Sequence, residues 1–171
     1  MKRIGILGST GSIGTQALKL IHNNNEFKVC YLSAFSNVEL LIQQAKTFRP
    51  DAVCIVKDSQ LSKLRDGLKN YNIEILSGNK GIEDLSSRND IDLLLNALVG
   101  YSGMLPTFKA VQNSVNVALA NKESLVVGGE IIKKELSKNN VKLFPVDSEH
   151  SAIWQCLIGE NTNEINKLIL T

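Results

Sequence analysis

Short runs of β-branched and aliphatic residues alternate along this chain with longer stretches in which apolar residues recur every three or four positions. That alternation predicts βαβ units rather than a sandwich or a helical bundle. Strands are expected near 3–8, 27–34, 52–56, 73–76, 92–97, 115–119 and 141–145, and helices near 12–23, 37–48, 59–70, 81–87, 103–113 and 129–139. Ile91-Asp92-Leu93-Leu94-Leu95-Asn96-Ala97 is nearly all apolar, as befits a parallel strand covered on both faces. In 37–48, Val38, Leu41, Ile42, Ala45 and Phe48 recur at helical spacing, and Pro50 stands where the helix should already have stopped. The predicted fold is α/β: a Rossmann-like doubly wound parallel sheet with helices on both faces.

Composition narrows the class of partner. A chain of 171 residues, 43% hydrophobic, can close one compact core and begin a second domain. The alternation ends at Pro145, where a polar cluster opens. Its 19 basic and 17 acidic residues are spread along the chain, so no basic tract points to nucleic acid or a membrane surface. A small-molecule partner is expected. Met1-Lys2-Arg3-Ile4-Gly5-Ile6 passes from charges straight into a strand-like run, without an apolar stretch that would suit a signal peptide or a membrane span. Cys30, Cys54 and Cys156 are odd in number and far apart, and read as free thiols, buried in the case of the first two. A reducing cytoplasm fits that usage.

The first strand runs directly into Gly8-Ser9-Thr10-Gly11-Ser12-Ile13-Gly14, and a helical stretch follows at once. Glycines let backbone amides approach a pyrophosphate, and a helix N-terminus supplies partial positive charge and unpaired donors. Ser9, Thr10 and Ser12 add hydroxyls. A tight turn without a ligand would need only the glycines, so the strand before and the helix after favour a nucleotide. The Gly-x-x-Gly-x-x-Gly spacing by itself names no family. At the end of the second strand, Leu32-Ser33-Ala34-Phe35-Ser36-Asn37 lacks the acid that would hold a free ribose 2′-hydroxyl. Ser36 and Asn37 offer polar groups there, tilting the choice toward NADP, and the same pair reads as the N-cap of the next helix.

Pro145-Val146-Asp147-Ser148-Glu149-His150-Ser151 is the densest cluster of reactive side chains. Asp147 and Glu149, two residues apart, can chelate a hard cation such as Mg²⁺ or Mn²⁺ if both turn inward, with other oxygens completing the shell. From this segment alone, an N-cap with an acidic first turn leading into 148–157 is the stronger reading. His150 is a candidate for binding substrate oxygens or tuning the metal. Asn121, Lys122 and Glu123 follow the strand 115–119, at the edge where ligands collect in open α/β sheets. Lys122 could bind an anionic substrate, or form a solvated pair with Glu123.

Taken together, Gly8 to Gly14, Leu119-Ala120-Asn121-Lys122-Glu123-Ser124-Leu125-Val126 and Pro145-Val146-Asp147-Ser148-Glu149-His150-Ser151-Ala152-Ile153 resemble three ordered blocks of the 1-deoxy-D-xylulose 5-phosphate reductoisomerase family. Asn96 to Thr107 is similar to that family as well. The resemblance implies an NADPH-binding domain over 1–146 and the start of a catalytic domain over 147–171. It implies NADPH contacts at Gly8, Thr10, Gly11, Ser12, Ile13, Ser36, Asn37, Asn121 and Glu123, and substrate contacts at Lys122, Ser148 and Glu149. Asp147 and Glu149 would be metal ligands, and with Lys122 the catalytic set. The implied reaction rearranges a sugar phosphate on Mg²⁺ or Mn²⁺ and reduces it with NADPH to 2-C-methyl-D-erythritol 4-phosphate, a step of non-mevalonate isoprenoid synthesis inhibited by fosmidomycin. A cytoplasmic homodimer is implied for the full-length enzyme.

Two departures qualify the expectation. The family has Gly, a basic residue and Asn where this chain has Phe35-Ser36-Asn37, so no cation stands at 36 for the 2′-phosphate. The chain also stops at Lys167-Leu168-Ile169-Leu170-Thr171, within a strand of the family's catalytic domain and before its third metal carboxylate and flexible loop. It is therefore expected to bind NADPH without turning substrate over by itself. The competing readings are another NAD(P)-dependent dehydrogenase, which leaves the 145–151 cluster unexplained, and a non-catalytic nucleotide-sensing module.

Overall fold

The computed structural model describes residues 1–161, 164–167 and 169. Its strands are β1 (Lys2–Leu7), β2 (Phe27–Ala34), β3 (Ala52–Ile55), β4 (Glu74–Ser77), β5 (Leu93–Asn96), β6 (Asn116–Leu119) and β7 (Leu143–Pro145). Its helices are α1 (Ser12–His22), α2 (Val38–Phe48), α3 (Leu61–Leu68), α4 (Gly78–Ser86), α5 (Met104–Gln112), α6 (Glu123–Asn139) and α7 (Ser148–Leu157). The strands form one parallel sheet in the order β4-β3-β2-β1-β5-β6-β7. The chain winds outward from β1 to β4, then returns to the other side of β1. The reversal leaves a crevice at the C-terminal ends of β1 and β5, the topological switch point where open α/β sheets bind ligands.

Strand parity sorts the core into two layers. Ile4 and Ile6 of β1 and Leu95 of β5 pack with Leu18, Leu41 and Leu64 from α1, α2 and α3. Leu7 and Leu94 point the opposite way, against Leu85 of α4 and Val111 of α5. On α2, Val38, Leu41 and Ala45 are fully buried, and the larger two each contribute about 1.5–3 kcal/mol. The helix ends as the sequence suggests, Arg49 turning left-handed (φ 46°) just ahead of Pro50.

Two helices depart from expectation. α6 begins at Glu123, not near 129, because Gly128 bends it (φ −130°, ψ 17°) without ending it. A Cβ on Gly128 would stand 2.4 Å from Cε of Met104, so the glycine serves close approach of α5 and α6 rather than a break. α4 likewise starts three residues early, at Gly78. Cys30 and Cys54 are buried and Cys156 is exposed, all three free. Trp154 is 46% exposed and meets Phe144 edge-on. Leu168, Leu170 and Thr171, in the strand expected at the chain's end, lie outside the described residues. Among the described residues no helix is long and apolar enough to cross a membrane.

Candidate cofactor and metal site

The glycine loop after β1 has the geometry of an anion cradle. Gly8 adopts a left-handed φ of 79°, and a Cβ there would lie 2.6 Å from the carbonyl oxygen of Ala97. A Cβ on Gly14 would meet the Gly8 carbonyl oxygen at 2.4 Å and Ser9 Cα at 2.5 Å, so α1 can press against the loop only at a glycine. Gly11 is different: it is exposed, and only the Gly8 carbonyl, at 3.4 Å, lies near its missing Cβ. Gly11 also precedes α1 in extended conformation with no side-chain cap, so the first-turn amides, which have no acceptor within the helix, face solvent with the positive end of the helix dipole. Ile13 packs its side chain on the core and offers a ligand its backbone amide.

Ser9 corrects the expectation that it would donate to a phosphate. It is fully buried, and its hydroxyl lies 2.7 Å from Oε1 of Gln44 and 3.1 Å from the Ser33 carbonyl oxygen. Gln44 Nε2 in turn donates to the Ser9 carbonyl (2.9 Å), and the Gly8 amide donates to Ser33 Oγ (3.1 Å). Ser9 thus anchors the cradle while Thr10 and Gly11 line the cleft.

That cleft, about 730 Å³, opens between the glycine loop and the segment after β5, where Leu98, Val99, Tyr101 and Ser102 form the facing wall. Its size is that of a small-molecule site. Phe35, exposed at the end of β2, closes the far side. Ser36 and Asn37 are exposed beside it, and Asn37 caps α2 by accepting from the Leu40 amide at 3.2 Å. The capping role expected of this pair is therefore present.

The remaining candidates lie along the same edge. Asn121 is buried, with both amide protons given to the carbonyls of Leu98 (2.8 Å) and Gly100, and Oδ1 accepting from the amide and hydroxyl of Ser124. Lys122 and Glu123 are exposed at the start of α6. Lys122 pairs not with Glu123 but with Glu149, Nζ to Oε2 at 3.6 Å, across the gap between the ends of β6 and β7.

Asp147 is the N-cap of α7: Oδ1 accepts from the His150 amide at 3.0 Å and lies 2.8 Å from His150 Nδ1. Burial pushes the Asp147 carboxyl up, but the bonds from His150 outweigh it and leave the group below its ordinary range. Glu149 is lowered by backbone hydrogen bonding, by Ser148 Oγ at 2.9 Å and by Lys122, with Asp147 opposing. Asp147 and Glu149 thus influence each other's charge across the first turn of α7. Capping and chelation are compatible here, because the cap occupies Oδ1. Among the described residues no group of three or more His, Cys, Asp or Glu side chains is arranged to hold a metal ion.

In strand order the edge carries 35–37 after β2, 8–13 after β1, 97–102 after β5, 121–123 after β6 and 147–149 after β7. At about 4.8 Å per strand, roughly 14 Å separates the glycine loop from the carboxylate pair. The sequence reading did not single out Gln44, Asn96 or Thr107, the buried polar residues that hold these loops.

Comparison with known proteins agrees with this fold. Residues 4–129 match the family model for 1-deoxy-D-xylulose 5-phosphate reductoisomerase, and residues 143–171 match that for the reductoisomerase C-terminal domain. The Chloroherpeton thalassium reductoisomerase is 51% identical over all of this chain and 44% of its own length. The Zymomonas mobilis reductoisomerase structure in complex with NADPH superposes with a TM-score of 0.87 at 34% identity, covering 91% of this chain and 41% of that one. A DOX-P reductoisomerase crystallised with NADPH, fosmidomycin and magnesium gives 0.85 at 33% identity, covering 91% and 39%. The chain spans less than half the length of these relatives. With the family model running unbroken from β1 past the Asn121–Glu123 turn, this chain belongs to the 1-deoxy-D-xylulose 5-phosphate reductoisomerase family.

Proposed function

We propose that this chain carries the NADPH site, and the first metal- and substrate-binding residues, of an enzyme that converts 1-deoxy-D-xylulose 5-phosphate to 2-C-methyl-D-erythritol 4-phosphate. The observation that carries the reading is the row of loops on one sheet edge, ordered as an extended dinucleotide followed by a sugar phosphate would need them. Its companions are the relatives crystallised with NADPH and with magnesium.

Thr10, Gly11, Ser12 and Ile13 receive the pyrophosphate on backbone amides and two hydroxyls, with Gly8 keeping the turn open. Ser36 and Asn37 lie at the 2′-phosphate end of the ribose. The Asn121 side chain is fully engaged within the protein, so contact with the nicotinamide side falls to its backbone and to Glu123. Asp147 and Glu149 supply hard oxygen ligands of the kind Mg²⁺ or Mn²⁺ requires, and water, substrate or further protein must fill the rest of the shell. Lys122, drawn toward Glu149, and Ser148 then sit where they can bind substrate oxygens. Bound there, NADPH supplies hydride and the metal supplies Lewis-acid polarisation of the substrate oxygens.

The reading places the domain boundary after Val146, supported by α7, which buries none of its residues. Work in a reducing cytoplasm is supported by the three free thiols. Homodimer assembly comes from the family resemblance alone. The test has two arms: titration of this chain with NADPH, and Mn²⁺ titration of the full-length protein and its Asp147→Ala and Glu149→Ala variants. Saturable NADPH binding and loss of Mn²⁺ affinity in both variants are expected. Unaltered Mn²⁺ affinity would overturn the metal assignment, and absence of NADPH binding the cofactor assignment.

A further inference from the structure

Asn96, Thr107, Asn121 and Ser124 are four of the eight buried polar side chains among the described residues, and they form one hydrogen-bonded lattice beneath the cleft wall. Asn96, at the end of β5, donates through Nδ2 to the Gly103 carbonyl and to Thr107 Oγ1, both at 2.8 Å, and accepts from the Leu98 amide at 3.3 Å. Thr107 donates to the same Gly103 carbonyl at 2.9 Å. Asn121 grips the segment from its other side through the carbonyls of Leu98 and Gly100, and its Oδ1 holds the first turn of α6 through Ser124. Gly103 fits between the two amides only because it has no Cβ: one would fall 2.6 Å from Asn121 Cγ and 3.0 Å from Ser124 Oγ.

We propose that Asn96 and Thr107 are positioning residues which, through the 98–103 segment and Asn121, lock the cofactor-facing wall and the Lys122 turn into a single rigid unit. Thr107 is fully buried and does not itself line the cleft, so it can act on a ligand only through the groups it holds. In a buried network a missing bond leaves its partners unsatisfied, and the loss spreads along the chain of bonds. Both segments that the lattice holds should therefore loosen together. The effect on cofactor affinity rests on the NADPH reading above, whereas the mechanical coupling does not.

The test is amide hydrogen exchange on the ligand-free chain together with NADPH titration, in Thr107→Val, which keeps the shape and removes the hydroxyl, and in Thr107→Ser, which restores it. In Thr107→Val, exchange should accelerate about tenfold in both 98–103 and 121–125, with NADPH Kd rising severalfold, and Thr107→Ser should behave as wild type. Ser124→Ala, which trims the lattice at its other end, should loosen the same two segments and serves if Thr107→Val does not fold. Acceleration confined to the first turn of α5 in Thr107→Val, or to α6 in Ser124→Ala, would overturn the shared unit. Joint loosening with unchanged Kd would overturn the positioning role. If the wild-type chain binds no NADPH, the cofactor assignment and the positioning role built on it both fail, while exchange still decides the mechanical lattice.

Discussion

Gly5 and Tyr31 are partners across the β1–β2 pair, and the Tyr31 ring fills the space where a residue 5 side chain would stand, 2.1 Å from Cζ to an ideal Cβ. A bulge creates the arrangement. Ile4 pairs with Val29 but Gly5 pairs with Tyr31, so Cys30 is the extra residue, and Cys30 and Tyr31 pack into the same layer. The ring is fully buried at the centre of the sheet, and among the described residues its hydroxyl has no hydrogen-bond partner.

Gly5→Ala should therefore cost about 3 kcal/mol or more in urea unfolding, at the upper end of overpacking penalties, because the ring has nowhere to go. The penalty should shrink in a Tyr31→Leu background. Strict additivity of the two changes would show that they do not meet. Tyr31→Phe removes a hydroxyl whose burial is uncompensated and should be neutral to about 1 kcal/mol stabilising.

Acid should weaken the fold from the edge opposite the cleft. Arg88 holds Asp90 by a two-pronged contact, Nε to Oδ1 at 3.0 Å and Nη2 to Oδ2 at 2.7 Å, and Arg3 adds a further bond at 3.1 Å. These bonds, Arg88 first, hold the Asp90 carboxyl down to about 2 against an ordinary 3.8. A carboxylate depressed in the folded state stabilises above the unfolded value, and the contribution is lost as pH falls from about 4 toward 2. Since Asp90 is 38% exposed, solvent screening reduces the effect to on the order of 1 kcal/mol. Stability measured by denaturant between pH 6 and 2 should fall less steeply in Asp90→Asn than in wild type. An equal slope would mean the contact contributes nothing.

The elements and their order were legible because each depends on local signals: the apolar run ending in Asn96, the one-sided apolar face of α2, the glycines between β1 and α1. Asp147 was legible as a cap, since an N-cap needs a side-chain acceptor at a strand-to-helix turn. The Cys30 bulge was not, because an apolar run buried on both faces carries no parity to reveal a slip. The start of α6 was not legible for a related reason: a glycine that ends a helix and one that, like Gly128, admits a neighbouring helix look alike until Met104 is seen beside it. The Ser9–Gln44 bond joins residues 35 positions apart, which no local pattern encodes. A signal did exist, for Gln44 falls three residues after Leu41 on the apolar face of α2, where a polar residue needs a buried partner.

Removing that partner should weaken the cradle from behind. Gln44→Leu keeps the bulk but leaves the Ser9 hydroxyl and carbonyl without their α2 contacts, a loss of about 1–3 kcal/mol in stability. NADPH affinity, measured by fluorescence titration at a temperature where the variant is folded, should fall at least about threefold, because the loop amides lose their fixed aim. A destabilised variant with wild-type affinity would confine Gln44 to a structural role.

Gly11 and Gly14 of the cradle should separate folding from binding. At Gly14 a methyl group meets backbone on two sides, atoms that cannot swing away, so Gly14→Ala should lower the melting temperature and abolish NADPH binding together. At Gly11 the nearest obstacle to a methyl is at 3.4 Å, an ordinary contact, and its φ of −78° suits any residue. Gly11→Ala should therefore leave stability within about 0.5 kcal/mol of wild type. Its methyl would nevertheless project into the cleft, where backbone must come close to the pyrophosphate, and affinity for NADPH should drop about tenfold or more. Parallel thermal melts and NADPH titrations of the two variants check the contrast. Wild-type affinity in Gly11→Ala would mean that the ligand does not approach the loop at that residue.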